Sequence, residues 1–444
     1  MYEWNSVTVS SLAKELIGVN SVVIESLEIE NNLGEEQLII KARPTKRNQC
    51  KCGICGKKSP KYDNGDGTRR WRALDFGNSV RVYVESEAIR VECPEHGVIV
   101  RQVPWARHDS RYTKSFEDSV IWLTLHLSKK AVSEYMRIKW HTVGSIVRRI
   151  ERELSKDINR FDNLANIGID ETSYKKGHKY ITVIVNHDTN TVVWVGKGHG
   201  KAVLEDFFKL LTDEQKANIK AVSGDGARWI KDTVIEKCPN AVFCIDPFHV
   251  VSWVTTILDE VRREIWNDAR RELAKEKKPD KANKGRPKGG HKEKSEVEQL
   301  VETIKSSKYP LLMNPENLNE GYQAKLKQIL LHNRRLATAY RLKEELRLIF
   351  KLPPEEVSSA IDKWRRRAWS CRIPQFVELQ RKIKRHKQAI ITAITLGLSN
   401  ARIEATNNKI KLTVRMAYGF RNIDNLISLV LLRCGGLDIR LPGR

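Results

Sequence analysis

The chain has 444 residues, 79 Lys or Arg against 55 Asp or Glu, a formal charge of +24, and 40% hydrophobic residues. That length can bury several cores, and that charge seeks polyanions, nucleic acid first among them. No apolar run is long enough to span a membrane, the start carries no signal-peptide core, and eight cysteines make no dense disulfide framework, so a cytoplasmic protein away from membranes is expected.

Residues 1–46 form an N-terminal segment, and 47–108 a small metal-binding module. Cys52-Gly53-Ile54-Cys55-Gly56 is a metal knuckle, and Cys93-Pro94-Glu95-His96-Gly97 supplies a matching pair after a strand-like stretch at 80–91. Thiolate and imidazole at these spacings suit zinc, with Cys52, Cys55, Cys93 and His96 as ligands and Cys50 as a rival for one place. Four protein ligands leave no open position, so this zinc would be structural.

Residues 109–160 read as a helix-turn-helix, with helices at 115–127, 129–136 and 141–154 and a short turn at Arg137-Ile138-Lys139-Trp140. The last would be the recognition helix, presenting His141, Thr142, Ser145 and Arg148 to a major groove.

From 161 to 251 the periodicity gives strands at 166–172, 179–186 and 191–196, a helix at 201–212, a strand at 218–224, a helix at 227–237 and a strand at 240–246. That βββαβαβ order is the order of the RNase H-like fold, in which the first and fourth strands lie side by side. Asp170 ends the first of these strands and Asp225 the fourth, so the two carboxylates are expected as neighbours at one sheet edge. Glu171 should point the other way, because successive strand side chains alternate faces. Asp246, at the end of the fifth strand in Cys244-Ile245-Asp246-Pro247-Phe248-His249, competes with Asp225 but lies one strand farther from Asp170; Asp246 and His249 are therefore expected as a supporting pair behind the ligands.

Residues 252–395 read as helices without strands, at about 251–274, 296–306, 321–350, 354–367 and 375–396 by periodicity. Between the first two runs a loop, 275–292, with eight Lys or Arg against two acidic residues. The stretch from Asp225 to Glu404 is far too long for one connection of the bare fold, so these helices are an insertion, and 396–444 supplies the final helix and C-terminal segment of the core. In that helix Glu404, Asn408, Lys411 and Arg415 fall in a stripe roughly 60° wide, with Ile403, Ile410 and Val414 about 100° away. One face packs; the other carries a carboxylate beside two cations that would meet a DNA backbone. Asp170, Asp225 and Glu404 thus form a candidate catalytic triad holding two Mg²⁺, or Mn²⁺, about 3.5–4 Å apart, which activate the attacking oxygen of a phosphodiester exchange and stabilise the leaving one.

With these motifs in place, the chain resembles a bacterial DDE transposase of the ISL-three insertion-sequence family over nearly its whole length. The resemblance is carried by the CxxCG finger, the helix-turn-helix, GIDETSYKKGHKYITVIV, AVSGDGARW, DPFHVV and NARIEATNNKIKLTVRMAYGFRN. It implies Asp170, Asp225 and Glu404 as the catalytic triad, Cys52, Cys55, Cys93 and His96 as the finger, and an all-helical domain inserted before Glu404. Ala405 follows the glutamate where the family usually has Gly, and His96 stands where a cysteine is commoner. The expected architecture is an α/β RNase H-like catalytic core interrupted by an all-α insertion and preceded by a small zinc finger and a helix-turn-helix. The expected function is binding of double-stranded DNA at terminal inverted repeats, then metal-dependent strand cleavage and transfer by a homodimer or higher oligomer. A transposase-derived regulator without catalysis and a metal-dependent nuclease are the alternatives.

Overall fold

The computed structural model describes residues 8–32, 34–77, 79–156, 158–276, 295–398, 401–440 and 442, and it divides into two compact units, 1–158 with 414–444 and 159–413. The first unit opens with α1 (Val9–Ile17), capped by the Thr8 side chain and ended by Gly18 at φ 72. Seven strands follow: β1 (Val22–Asn32), β2 (Glu35–Pro44), β3 (Lys61–Asp63), β4 (Thr68–Arg72), β5 (Arg81–Glu87), β6 (Arg90–Cys93) and β7 (Gly97–Val100). They make a four-stranded sheet, β1-β2-β5-β4, and a three-stranded one, β3-β6-β7. Ile40 and Ala42 on β2 and Val82 and Val84 on β5 are buried at every second position, as a half-buried sheet requires, and pack with Ala13 and Ile17 of α1 and an edge-to-face pair, Trp71 and Trp105, 5.7 Å apart.

Three helices complete the start of this unit: α2 (Lys114–His126), α3 (Lys129–Tyr135) and α4 (Trp140–Ser155), each within about a residue of its sequence expectation. Thr113 and Ser128 cap α2 and α3 by accepting from the N–H of Phe116 and Ala131. The α3–α4 turn places Arg137 at φ 51. Asp75 fixes that turn by binding the Arg137 guanidinium and that of Arg72, which also donates to the Arg137 carbonyl at 3.0 Å.

The second unit contains β8 (Asn166–Lys175), β9 (Lys179–Asn186), β10 (Thr191–Lys197), α5 (Lys201–Lys209), α6 (Asp213–Asn218), β11 (Ala221–Gly224), α7 (Arg228–Lys237) and β12 (Val242–Ile245). The sheet order is β10-β9-β8-β11-β12, with β8, β11 and β12 parallel and the first three strands antiparallel. The helix expected over 201–212 ends at Lys209, and a second helix follows at Asp213–Asn218, where the sequence reading placed none. Thr212 and Gln215 form a reciprocal capping box that starts α6 afresh.

Among the described residues only helices lie between β12 and residue 398: α8 (Pro247–Glu276), α9 (Glu296–Lys305), α10 (Lys308–Leu312), α11 (Glu320–His332), α12 (Arg334–Ile349), α13 (Pro354–Ser370) and α14 (Pro374–Thr395), with one 3₁₀ turn. The continuous pattern over 321–350 is broken at Asn333, whose side chain accepts from Leu336 N–H at 2.9 Å and caps α12. Val250, Val254, Leu258 and Val261 make one stripe of α8, and through it a single apolar cluster runs from Ile169 and Val222 in the sheet to Trp364, Phe376 and Ile383 in α13 and α14. Lys275 and Glu276 end α8; the rest of the basic stretch 275–292 lies outside the described residues.

Next come α15 (Ala401–Met416) and α16 (Ile423–Cys434). The sequence reading joins 396–444 to the core, but the structure divides it. Residues to Thr413 belong with the second unit and those from Val414 with the first, where α16 packs on α4. The reason is local: Gly144 on α4 lets Asn425 approach so closely that a Cβ there would lie 2.7 Å from its amide nitrogen, and Arg148 donates to the Asn425 side-chain oxygen.

Candidate active site and DNA interface

Strand register decides which carboxylates meet. β11 pairs with β8 as Ala221 with Asn166, Val222 with Ile167 and Ser223 with Gly168; two further steps set Asp225 opposite Asp170. The β11–β12 register, Gly224 with Ile245, likewise sets Asp246 beside Asp225. Asp225 and Asp246 therefore leave the carboxyl ends of β11 and β12, whereas Asp170, expected to end its strand, lies midway along β8, which runs on to Lys175 paired with β9; their surroundings differ as well.

Asp170 is half-buried; its Oδ1 accepts from Glu171 N–H at 2.7 Å, and its Oδ2 accepts from the Asn407 amide on α15. Burial pushes its carboxyl up from the ordinary range and the Asp225 charge adds to this, while the Glu171 amide, His249 and Asn407 pull the other way. Asp225 is exposed, its Oδ1 accepting from Ala227 N–H at 2.8 Å. It stands between Gly224 and Gly226, and Gly226 at φ 86 holds a conformation that strains other residues and would set a Cβ 3.0 Å from Ile245 and 3.2 Å from Trp253. Glu171 turns away, as alternation requires, and accepts from Gly200 N–H at 3.1 Å. Asp246 is 2% exposed and caps α8 through Phe248 N–H at 3.0 Å, whereas His249, one turn into that helix, acts by charge on Asp170. Asp246 thus shapes the start of α8, and of the pair expected behind the ligands it is His249 whose charge acts on Asp170.

Glu404 is exposed in the first turn of α15. Outside the finger, no three His, Cys, Asp or Glu among the described residues lie close enough to share an ion, so Asp170, Asp225 and Glu404 are not gathered into one cluster. What ties its helix to the site is Asn407, which sequence reasoning passed over for Asn408. Asn407 is 5% exposed and accepts from the Thr172 hydroxyl at 2.8 Å as well as donating to Asp170. The packing face of α15 lies where periodicity placed it, but Thr406, Asn407 and Thr413 share it with Ile410. Asn408, Lys411 and Arg415 are exposed on the other face. The donor set around Asp170 and Asp225 is oxygen only beyond His249, which suits Mg²⁺.

The finger is assembled. Cys52 Sγ lies 3.8 Å from His96 Nδ1, Cys93 Sγ 3.6 Å from the same nitrogen, and Cys55 Sγ 3.7 Å from Cys93 Sγ. Zinc–sulfur bonds of about 2.3 Å at tetrahedral angles put ligand atoms roughly 3.8 Å apart, so these four fit a structural zinc ion. The Cys93 thiol is drawn down to about 6, chiefly by His96 beside it. Cys50, the rival ligand, stands outside the cluster.

On α4, His141 is exposed and Thr142 half-buried, while Ser145 and Arg148 line a cleft of about 890 Å³. Gly53 and Ile54 of the first knuckle, Arg69 of β4, and Arg149, Arg152 and Lys156 further along α4 line it too. Arg149 and Arg107 converge on Glu117, fully buried on α2, so these cations hold helices together. Arg69, Arg152 and Lys156 are exposed and take part in no ion pair among the described residues; they are the cations left for a polyanion.

Residues 167–430 match the family described as transposase, 101–151 the helix-turn-helix domain of transposase family ISL3, and 48–96 the zinc finger of transposase IS204/IS1001/IS1096/IS1165. The chain belongs to the ISL3 transposase family. It is 47% identical over 436 residues to the transposase for insertion sequence element IS1557 of Mycobacterium tuberculosis in strains CDC 1551 / Oshkosh and ATCC 25618 / H37Rv, covering 98% of this chain and 97% of each relative. It is 26% identical over 414 residues to the transposase for IS1001 of Bordetella parapertussis, covering 93% and 95%. The zinc-finger and helix-turn-helix matches fall on the Cys₃His cluster and on α2 to α4, and the transposase match spans from β8 to α16. No helix among the described residues is long and apolar enough to cross a membrane.

Proposed function

We propose that this ISL3 family member is a DNA transposase that binds the terminal inverted repeats of its element through the finger and helix-turn-helix, then cuts and joins strands at Asp170, Asp225 and Glu404. The observation that carries the reading is the parallel register that sets Asp225 opposite Asp170, with α15 hydrogen-bonded to Asp170 through Asn407. The sheet order, with helices alone between β12 and α15, supports an RNase H-like core of 161–251 and 396 onward, interrupted by the all-α segment 252–395. Mg²⁺ bound by the three carboxylates would supply the charge that activates an attacking oxygen and stabilises the leaving one. Asn407 and the Glu171 amide hold Asp170 in one orientation, the glycines around Asp225 free it to face substrate, and Glu404 is carried in on the helix that Asn407 anchors. Water is the first nucleophile and a freed 3′-OH the second; two ends handled together call for a dimer or larger assembly.

The test is to incubate the protein and Mg²⁺ with DNA carrying its element's ends and map nicks, then supply pre-cleaved ends and look for joining. Nicks at the element boundary and joined products are expected. Nicks without joining would make it a nuclease, and binding without nicks a regulator.

Reading and positioning are expected to separate by residue. Ser145→Ala should relax preference at a few adjacent base pairs by about 1–3 kcal/mol, measured on cognate and scrambled ends. Arg148→Ala should do so only with a fall in melting temperature, because Asn425 loses its partner. Neutralising Lys411 or Arg415 should weaken binding to every sequence and reduce the salt slope by about one, since phosphate contacts carry no base information.

A further inference from the structure

The helix α14 packs against β12 and α8 and brings a basic side to the Asp225 end of the sheet. Lys382, on that helix, has its Nζ 3.6 Å from the centroid of the Trp253 ring. Trp253 comes from α8 and lies against Gly226, the residue after Asp225, so tightly that a Cβ there would be 3.2 Å from the indole. His386, one turn on, sets its ring 6.0 Å from the same indole. A chain of contacts thus runs from α14 through Trp253 to the loop that presents Asp225.

Lys382 is half-buried, yet among the described residues it has no hydrogen-bond acceptor and no carboxylate within ion-pair distance. An ammonium carries three donors, and an aromatic face satisfies the charge without accepting those hydrogens well. Burial pulls its ionisation down, the Asp225 charge opposes this, and Arg385 adds to the pull. Lys231 and Arg385 act with Lys382 on His386, so the α14 side of Asp225 is positively charged. A DNA strand entering a site of clustered carboxylates meets repulsion, and a fixed cation beside them gives one of its phosphates a seat. A lysine is a point charge suited to a phosphate oxygen and, unlike arginine, does not demand a bidentate partner.

We infer that Lys382, held on Trp253, contacts a backbone phosphate of the DNA strand engaged next to Asp225. The inference rests on the transposase reading of the same site. It makes Lys382 a substrate-contact residue contributed by the helical segment, and gives that segment a part in holding the strand.

The experiment uses the full chain and duplexes carrying the element end, each with one phosphate replaced by a neutral methylphosphonate. Binding is measured in EDTA across a salt series, and cleavage in Mg²⁺. For the wild type, one or two neutral positions near the scissile bond should weaken binding. Lys382→Gln should bind about tenfold or more weaker with a salt slope lower by about one, and be indifferent to the methylphosphonate at those positions. Lys382→Arg, which keeps a cation on the indole, should retain the slope and the sensitivity, which separates charge loss from misfolding. A Lys382→Gln protein with the wild-type slope and the wild-type methylphosphonate profile would overturn the inference and leave Lys382 a packing partner of Trp253, with the transposase reading untouched if the wild type still cleaves. A wild type that never cuts, but whose binding shows the Lys382-dependent phosphate, would keep the contact and remove the catalytic reading.

Discussion

Asp170→Asn and Asp225→Asn are each expected to lower strand cleavage by roughly a thousandfold while leaving end binding nearly unchanged. Charge stabilisation by a bound metal is worth several kcal/mol in the transition state, and about 4 kcal/mol corresponds to three powers of ten. Asparagine keeps the shape of each side chain, including an oxygen for the Glu171 or Ala227 N–H, and removes the charge; at 170 it also sets an NH2 against the Asn407 amide and loses that hydrogen bond. Because Asp170 is half-buried beside the like charge of Asp225, relief of that charge offsets part of the lost Asn407 hydrogen bond in metal-free buffer; a cooperative melt with only a modest fall in melting temperature shows that the lost activity is chemistry. Glu404→Gln should match the two aspartates if substrate or metal draws α15 inward. Cleavage and gel-shift assays on the same preparations decide this. Wild-type cleavage by Asp225→Asn would pass its role to Asp246, which the β12 register places next in line.

How far this site could be read in advance depends on which forces leave a periodic trace. The end of β11 before Asp225 was readable because the apolar run stops there; the apolar run also stops at Asp170, but β8 continues to Lys175 through polar residues paired with β9, and the parallel register still brings the two aspartates together. Helix boundaries in 114–155 were readable from apolar spacing, and in the structure Thr113 and Ser128 cap the first two of these helices. Asn407 was not, because a polar residue on a packing face looks like a break in the apolar stripe until its partners, Thr172 and Asp170, are known from a distant strand. Lys382 and Trp253 were hidden for the same reason: each reads as an ordinary helix position, and only tertiary packing brings them to Asp225. The division of the C-terminal stretch was equally invisible, since it turns on Gly144 making room for Asn425, 281 residues later in the numbering of the chain. The split of 321–350 was available in principle, as Asn333 is a strong cap, but the apolar pattern ran across it.

Zinc removal should have the other large effect. The three-stranded β3-β6-β7 sheet is small, its buried apolar side chains are few, and the Cys93 ligand terminates β6 itself. A module of this size draws most of its stability from the ion, with apparent zinc-binding free energies of about 10–16 kcal/mol in finger peptides near neutral pH. The purified chain is expected to hold about one zinc per molecule, as four protein ligands in a closed tetrahedral set require. Cys52→Ser should lose that zinc, because Cys52 supplies both a ligand and the sulfur that accepts from Ile54 N–H at 3.4 Å to shape the first knuckle. With the knuckle goes Gly53 and Ile54 on one wall of the cleft that Ser145 and Arg148 line, so specific end binding should fall with the metal. Cys50→Ser, by contrast, should keep both zinc and binding, since Cys50 stands outside the cluster. Metal content by atomic emission and end binding by gel shift give the answer for each variant. Retained zinc in Cys52→Ser with loss in Cys50→Ser would exchange the two residues as ligands, and full end binding by a zinc-free chain would show that the finger is not part of the DNA interface.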